Sequence, residues 1–142
     1  MQGMSSAVHG PVLITGCSAG IGRAIAERLL ATGVPVYATA RRLESLEQLE
    51  RAGARILSLD VTDDESMIRA VARIEGEHGA VGTLVNNAGY GVYGPVEEIP
   101  LSEVRQEFET NVFGLGRLCQ LVLPGMRRAG GGAVVNVSSM AG

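Results

Sequence analysis

The chain predicts an α/β domain in three layers, with helices on both faces of a parallel sheet. Three observations carry that expectation. Apolar strand-like runs alternate with helical stripes from Val12 to the end. A glycine-rich turn, Thr15-Gly16-Cys17-Ser18-Ala19-Gly20-Ile21-Gly22, joins the first strand to the first helix. Polar residues able to bind or react gather at the carboxyl ends of the strands, where open parallel sheets hold their ligands.

Val12-Leu13-Ile14 reads as a buried strand. In the turn that follows, Gly16 permits a tight bend with unusual backbone angles. Gly20 removes a side chain where backbone must approach phosphate, and Gly22 lets the helix pack closely on the sheet. The helix of Ile21, Ala24, Ile25 and Leu29 then offers N-terminal N–H groups and a partial positive charge to a pyrophosphate. The spacing is T-G-x-x-x-G-x-G rather than G-x-G-x-x-G, and three glycines alone would equally describe an ordinary strand-to-helix turn.

Thr32-Gly33 ends the first helix. Val34-Pro35-Val36-Tyr37-Ala38-Thr39 reads as a second strand, with Pro35 tolerable at its start. A short helix over about 43–51 puts Leu43, Leu46 and Leu49 on one side, and Ala54-Arg55-Ile56-Leu57-Ser58-Leu59 is a third strand. Asp60-Val61-Thr62-Asp63 leads into a helix capped by Thr62 or Asp63, with Met67, Ile68, Val71 and Ile74 as its inward stripe. Residues 81–85 form a fourth strand, which runs into Asn86-Asn87-Ala88-Gly89 and a loop over 90–100. A long helix follows Ser102 toward Met126, with Pro124 weakening its last turn. After Gly130-Gly131-Gly132 comes a fifth strand, Ala133-Val134-Val135-Asn136-Val137-Ser138.

Residues 1–10 read as a flexible lead-in and 11–142 as one domain, long enough for a real core. Hydrophobic residues at 46% and charged residues at 19% indicate a globular chain. A net charge of −3 without a basic run argues against a nucleic-acid surface. Cys17 and Cys119 stand far apart without metal-ligand spacing, so no metal is expected. No secretory leader is evident and no apolar run is long enough for a bilayer, so a cytoplasmic setting without a membrane partner is expected.

Together, Thr15-Gly16-x-x-x-Gly20-x-Gly22, Asp60-Val61, Asn86-Asn87-Ala88-Gly89, Asn111, and Ser139 in Val137-Ser138-Ser139 resemble the short-chain dehydrogenase/reductase family. Their order and spacing match across residues 12–142. The resemblance implies a Rossmann fold with strand order 3-2-1-4-5, and hydride transfer between NAD(P) and an alcohol or carbonyl. It implies a cofactor cradle of Gly16, Ser18, Ala19, Gly20, Ile21 and Gly22, with Asp60 and Val61 at the adenine and Asn87, Ala88 and Gly89 lining the site. Asn111 would interrupt local helix bonding and hold a water in a proton relay. Ser139, rather than Ser138, would orient the substrate oxygen. A small-molecule substrate and a homo-oligomer, assembled partly through the long helix, follow from the same resemblance.

The second strand ends Ala38-Thr39-Ala40-Arg41-Arg42, with no acid where an NAD-specific fold places one for the ribose 2′-OH. A guanidinium there suits a 2′-phosphate, so Arg41 first and Arg42 second point to NADP(H). Ala19 runs against this, because some NADP-using relatives carry a polar or basic residue there. The family's catalytic Tyr-x-x-x-Lys would fall beyond Gly142, and the 142 residues contain no Lys. The expectation is the N-terminal part of an NADP(H)-dependent oxidoreductase of secondary alcohols or ketones, cut before the last strands and inactive alone for want of a base. The rival readings are a non-enzymatic NAD(P)-binding sensor and a sheet-mediated interaction fragment. The fifth strand is expected to be an uncovered β-branched edge. Leu115, Leu118, Leu121 and Val122 are expected to form exposed or partner-buried helix surface.

Overall fold

A computed structural model describes residues 8–140. Its centre is β1 (Val12–Ile14), apolar throughout because both of its faces are covered; all three residues are fully buried. Successive side chains of a strand point to opposite faces. Leu13 therefore joins a core with Tyr37, Val71, Ile74, Leu118 and Val122, while Val12 and Ile14 join a second core with Ala26, Leu46 and Leu49. β2 (Val36–Ala40) pairs with one side of β1 and β4 (Thr83–Asn86) with the other. β3 (Arg55–Ser58) lies outside β2, and β5 (Ala133–Asn136) outside β4. All pairings are parallel, so the sheet runs β3-β2-β1-β4-β5, the order implied by the family resemblance.

The second core lies under α1 (Gly20–Leu30) and α2, whose first turn (Leu43–Leu46) is a 3₁₀ helix continued as α-helix over Glu47–Arg51. The first core lies under α3 (Asp64–His78) and α5 (Leu115–Arg128). α3 begins where Asp63 accepts hydrogen bonds from the Glu65 and Ser66 amides, which decides between the two candidate caps. Two ion pairs tie α3 to α5: Arg117 with Asp64 at 2.5 Å and Arg128 with Glu75 at 3.8 Å.

Several sequence expectations shift. β2 starts at Val36, leaving Pro35 outside the ladder, although the Pro35 carbonyl still accepts from the Val12 amide at 2.9 Å. The buried stripe of α3 uses Ala70 where Ile68 was expected; Ile68 is exposed because it sits one position off the inward face. The long helix starts one residue before Ser102 and is not one α-helix. α4 (Leu101–Phe108) passes into a π-helical segment (Glu109–Gly114) and then into α5. Pro124 lies inside α5, which continues to Arg128. Leu118 and Val122 are fully buried in the core rather than on the outer surface; the exposed large apolar residues along α4, the π segment and α5 are Leu101, Phe108, Val112, Phe113 and Leu123. β5 ends at Asn136, although the Val137 amide still donates to the Asn86 carbonyl at 3.0 Å. Residues 1–7 of the expected lead-in lie outside the described residues; directly before β1, the Thr83 hydroxyl donates to the His9 carbonyl at 2.7 Å.

A polar cluster fastens the end of α3 to the sheet. The Arg55 guanidinium lies over the Tyr37 ring, 5.4 Å from its centroid, and donates to the Tyr37 hydroxyl at 2.6 Å and to Glu77 at 3.1 Å. Glu77 also accepts from the Tyr37 hydroxyl and from Arg73. His78, to which the sequence assigns nothing, packs edge-on to the Tyr37 ring. The Tyr37 hydroxyl, followed by Arg73, holds the Glu77 carboxyl down at about 2, well below the usual carboxylate range. An indentation of about 620 Å³ here contains none of the predicted site residues, and the Tyr37, Arg55, Arg73, Glu77 and His78 side chains that line it are engaged with one another.

Candidate cofactor and active site

The turn after β1 is held open by hydrogen bonds from β4. The Thr15 side chain is buried, and its hydroxyl oxygen accepts from the backbone amides of Asn87 at 3.0 Å and Ala88 at 2.9 Å. The Asn87 side-chain amide donates back to the carbonyls of Thr15 at 3.2 Å and Gly16 at 3.1 Å. Asn87 therefore belongs to the wall of the turn itself. Gly16 has φ of +69° and Gly20 of +60°, the left-handed region in which a Cβ is strained. A Cβ on Gly16 would also press on Ala88 at 3.0 Å. A Cβ on Gly22 would collide with the Gly16 carbonyl and the Asn87 amide, so Gly22 packs against the turn rather than broadly against the sheet.

Above Gly20 there is open space. Ser18, Ala19, Gly20 and Ile21 are exposed around it. α1 has no side-chain cap and no acid in its first turn, whereas α3 carries Asp63, Asp64 and Glu65. The α1 N-terminus thus has no side-chain cap among the described residues, and a Cβ on Gly20 would meet nothing within 4 Å, an opening that fits an anionic phosphate. Cys17 points the other way: it is fully buried, its thiol lies 3.4 Å from the Ile14 carbonyl, and burial pushes its pKa up to about 11. It is an inert packing residue.

At the end of β2, Arg41 and Arg42 are exposed, and neither guanidinium pairs with a carboxylate of the described residues. Their backbone is fixed: the Arg41 carbonyl accepts from the Ser58 hydroxyl at 3.1 Å, and the Arg42 carbonyl from the Ser45 hydroxyl at 2.6 Å. At the end of β3, Asp60 Oδ1 accepts from the Thr62 amide at 2.9 Å and the Thr62 hydroxyl at 2.7 Å. This Asx turn leaves Oδ2 without a partner among the described residues. Val61 is buried, and its carbonyl sits where a Cβ on Gly114 would fall, so the turn after β3 rests on the π-helical segment.

That segment holds Asn111. Its side chain does not face solvent idly: Oδ1 accepts from the Tyr90 amide at 3.1 Å, and Nδ2 donates to the Tyr90 carbonyl at 2.7 Å. A Cβ on Gly89 would lie 2.9 Å from Asn111 Oδ1, so Gly89 permits this approach. Ser138 and Ser139 follow β5, both exposed, beside the end of β4 that carries Asn87, Ala88 and Gly89. The ends of β1, β4 and β5 and the π segment thus bring the expected site residues to one end of the sheet, with Arg41, Arg42, Asp60 and Val61 on the β2–β3 side.

Residues 11–142 match the family model described as short chain dehydrogenase. The chain belongs to that family. Over 132 residues it is 40% identical to the 3-ketodihydrosphingosine reductase of Bacteroides thetaiotaomicron, covering 92% of this chain and 47% of that protein. A crystal structure of a short-chain dehydrogenase from Streptomyces avermitilis superposes with a TM-score of 0.87 at 47% identity, covering 90% of this chain and 48% of that one. The L-sorbose reductase of Gluconobacter frateurii, crystallised with NADPH and L-sorbose, gives a TM-score of 0.84 at 33% identity, covering 94% and 54%. The chain thus spans about half the length of the curated relatives it matches.

Among the residues that sequence reasoning underused are Thr15 and Asn86. Thr15 was legible only as part of a motif; its signal is a hydroxyl placed where the strand must hand its hydrogen bonds to a neighbouring loop. Asn86 is buried, and its side-chain amide donates to Asn136 Oδ1 at 3.0 Å and contacts Cys119 Sγ at 3.7 Å.

Proposed function

We propose that this chain is the cofactor-binding part of an NADP(H)-dependent oxidoreductase that interconverts a secondary alcohol and a ketone. The observation that carries the reading is the phosphate cradle: an uncapped α1 N-terminus, open space above Gly20, and a turn braced by Thr15 and Asn87. A dinucleotide held with its pyrophosphate there would supply, at its nicotinamide, the group that gives or accepts the hydride. The chain's own part is to bind and orient. The α1 amides, with Ser18, Ala19, Gly20 and Ile21 around them, hold the pyrophosphate, and Asp60 Oδ2 accepts from the adenine amino group with Val61 beside it. Asn87, Ala88 and Gly89 line the nicotinamide end. Ser139 donates a hydrogen bond to the substrate oxygen, and Asn111 holds the loop at Tyr90 that borders it.

The two unpaired guanidiniums at the end of β2 favour a 2′-phosphate, with Arg41 the first partner and Arg42 the second. The NADPH complex of L-sorbose reductase supports this choice by likeness. NADPH and NADH titrated separately into the protein decide it. NADPH should bind more tightly. Arg41→Ala should weaken NADPH by about tenfold, the worth of one charge-assisted hydrogen bond, and leave NADH nearly unchanged. Equal or tighter binding of NADH overturns the cofactor assignment. Ketone-dependent NADPH oxidation by the polypeptide that includes any segment following Gly142 tests the reaction.

A further inference from the structure

We infer that Asn136 is a positioning residue for the serine segment, acting through Asn86. Two adjacent amides at the end of β4 bond in opposite directions. Asn87 turns to β1, where it closes on the carbonyls of Thr15 and Gly16. Asn86 turns to β5, where its Nδ2 donates to Asn136 Oδ1 at 3.0 Å. Asn86 and Asn136 are register partners in the parallel pair, and the next ladder bond runs from the Val137 amide to the Asn86 carbonyl. Asn86 is 4% exposed whereas Asn136 is exposed, so loss of the Asn136 acceptor leaves a largely buried amide with Cys119 Sγ as its remaining side-chain partner. The same Nδ2 lies 3.7 Å from Cys119 Sγ on α5, the helix that continues from the π segment of Asn111.

One buried amide at the end of β4 therefore touches β5, which leads to the serines, and α5, which continues from the segment of Asn111. Among the described residues β5 pairs with β4, and the last ladder bond between them is at Val137. Cross-strand side-chain pairs help to set the register of such a pair. The Asn86–Asn136 bond fixes that register two residues before Ser138 and three before Ser139. It thereby sets where the serine hydroxyls leave the sheet relative to the turn that Asn87 holds.

The inference rests on Ser139 as the substrate-orienting hydroxyl. Its test uses the complete polypeptide with Asn136→Leu, which keeps bulk and removes the acceptor, and Asn136→Asp, which keeps the acceptor. In N136L, kcat for ketone reduction should fall on the order of 10- to 100-fold, as for other small misplacements of a positioned group. NADPH affinity should not change, and N136D should return kcat to near the wild-type value. A wild-type kcat in N136L overturns the inference. So does an N136D as slow as N136L, or a loss in N136L that disappears at a temperature where the variant is fully folded. If the wild type itself shows no turnover, the proposed reaction fails, and the amide resonances of Ser138 and Ser139 decide the inference instead. They should shift in N136L and stay in place in N136D; unchanged resonances in N136L overturn it.

Discussion

Thr15 does with one oxygen what a strand would need two carbonyls to do: it receives the amides of Asn87 and Ala88 as β4 leaves the ladder. Thr15→Val keeps the shape and removes the acceptor, leaving two part-buried donors. It should cost about 1–3 kcal/mol of stability per the usual penalty for an unpaired buried group, and should weaken NADPH binding as the turn loosens. Chemical denaturation with and without NADPH measures both. Gly22→Ala should be worse for binding than for folding. Its Cβ enters the space of the Gly16 carbonyl and the Asn87 amide, so the turn must move to admit it. Unchanged NADPH affinity in Gly22→Ala would contradict that geometry. The glycines were readable in the sequence because backbone angles of this kind leave few residue choices. The partners of Asn86 and Asn111 were not, because a side-chain amide bonds equally well in many directions until the fold places its neighbours.

Elements were legible where a local rule decides them. Asp63 caps α3 because its carboxylate can reach two free amides, and Gly79, with φ of +87°, ends it. The π segment is different: the spacing of Glu109–Gly114 marks no i→i+5 turn and the apolar pattern runs on through it, so an interruption of the helix at Asn111 was expected from the family resemblance alone. The cluster at the C-terminal end of α3 was likewise invisible, since Tyr37, Arg55 and Glu77 come from three separate elements. It carries a pH dependence whose sign follows from the Glu77 carboxyl. Its folded value, about 2, lies below the ordinary 4.5, so it contributes stability that is complete above the ordinary value and lost as pH falls toward the folded one. Glu77→Gln should therefore flatten the decline of the melting temperature between about pH 4.5 and 2. Coincident acid limbs for wild type and Glu77→Gln would show that the cluster contributes nothing to acid stability.

For the whole molecule, strand and helix alternation foretold a layered parallel sheet, while the strand order came only with the family resemblance. The same sheet leaves β5 as an edge with Val135 48% exposed, and α4 with its π extension shows Leu101, Phe108 and Phe113 to solvent. Uncovered β-branched edges and contiguous apolar faces both favour association. Light scattering on the 142-residue chain should find dimers or larger species that grow with concentration; a monodisperse, cooperatively melting monomer would contradict this. Among the described residues, no helix is long and apolar enough to cross a membrane. The 142 residues contain no Lys and no Tyr-x-x-x-Lys, so by themselves they should show no ketone-dependent NADPH oxidation near the usual enzymatic range of about 1–10³ per second.

The hydrogen bonds that shape the glycine turn span 71 to 73 residues of chain. β1 and its turn are made first, yet the cradle is not finished until β4 has crossed behind β2 and β3 and docked on the far side of β1. Closing so long a loop is slow compared with forming any of the helices along it. The candidate cofactor cradle is thus a late event of folding, although its glycines lie near the start of the chain. On the proposed reading, dinucleotide binding would report that the middle of the protein has arrived, and a bound dinucleotide would hold β4 against β1 from then on.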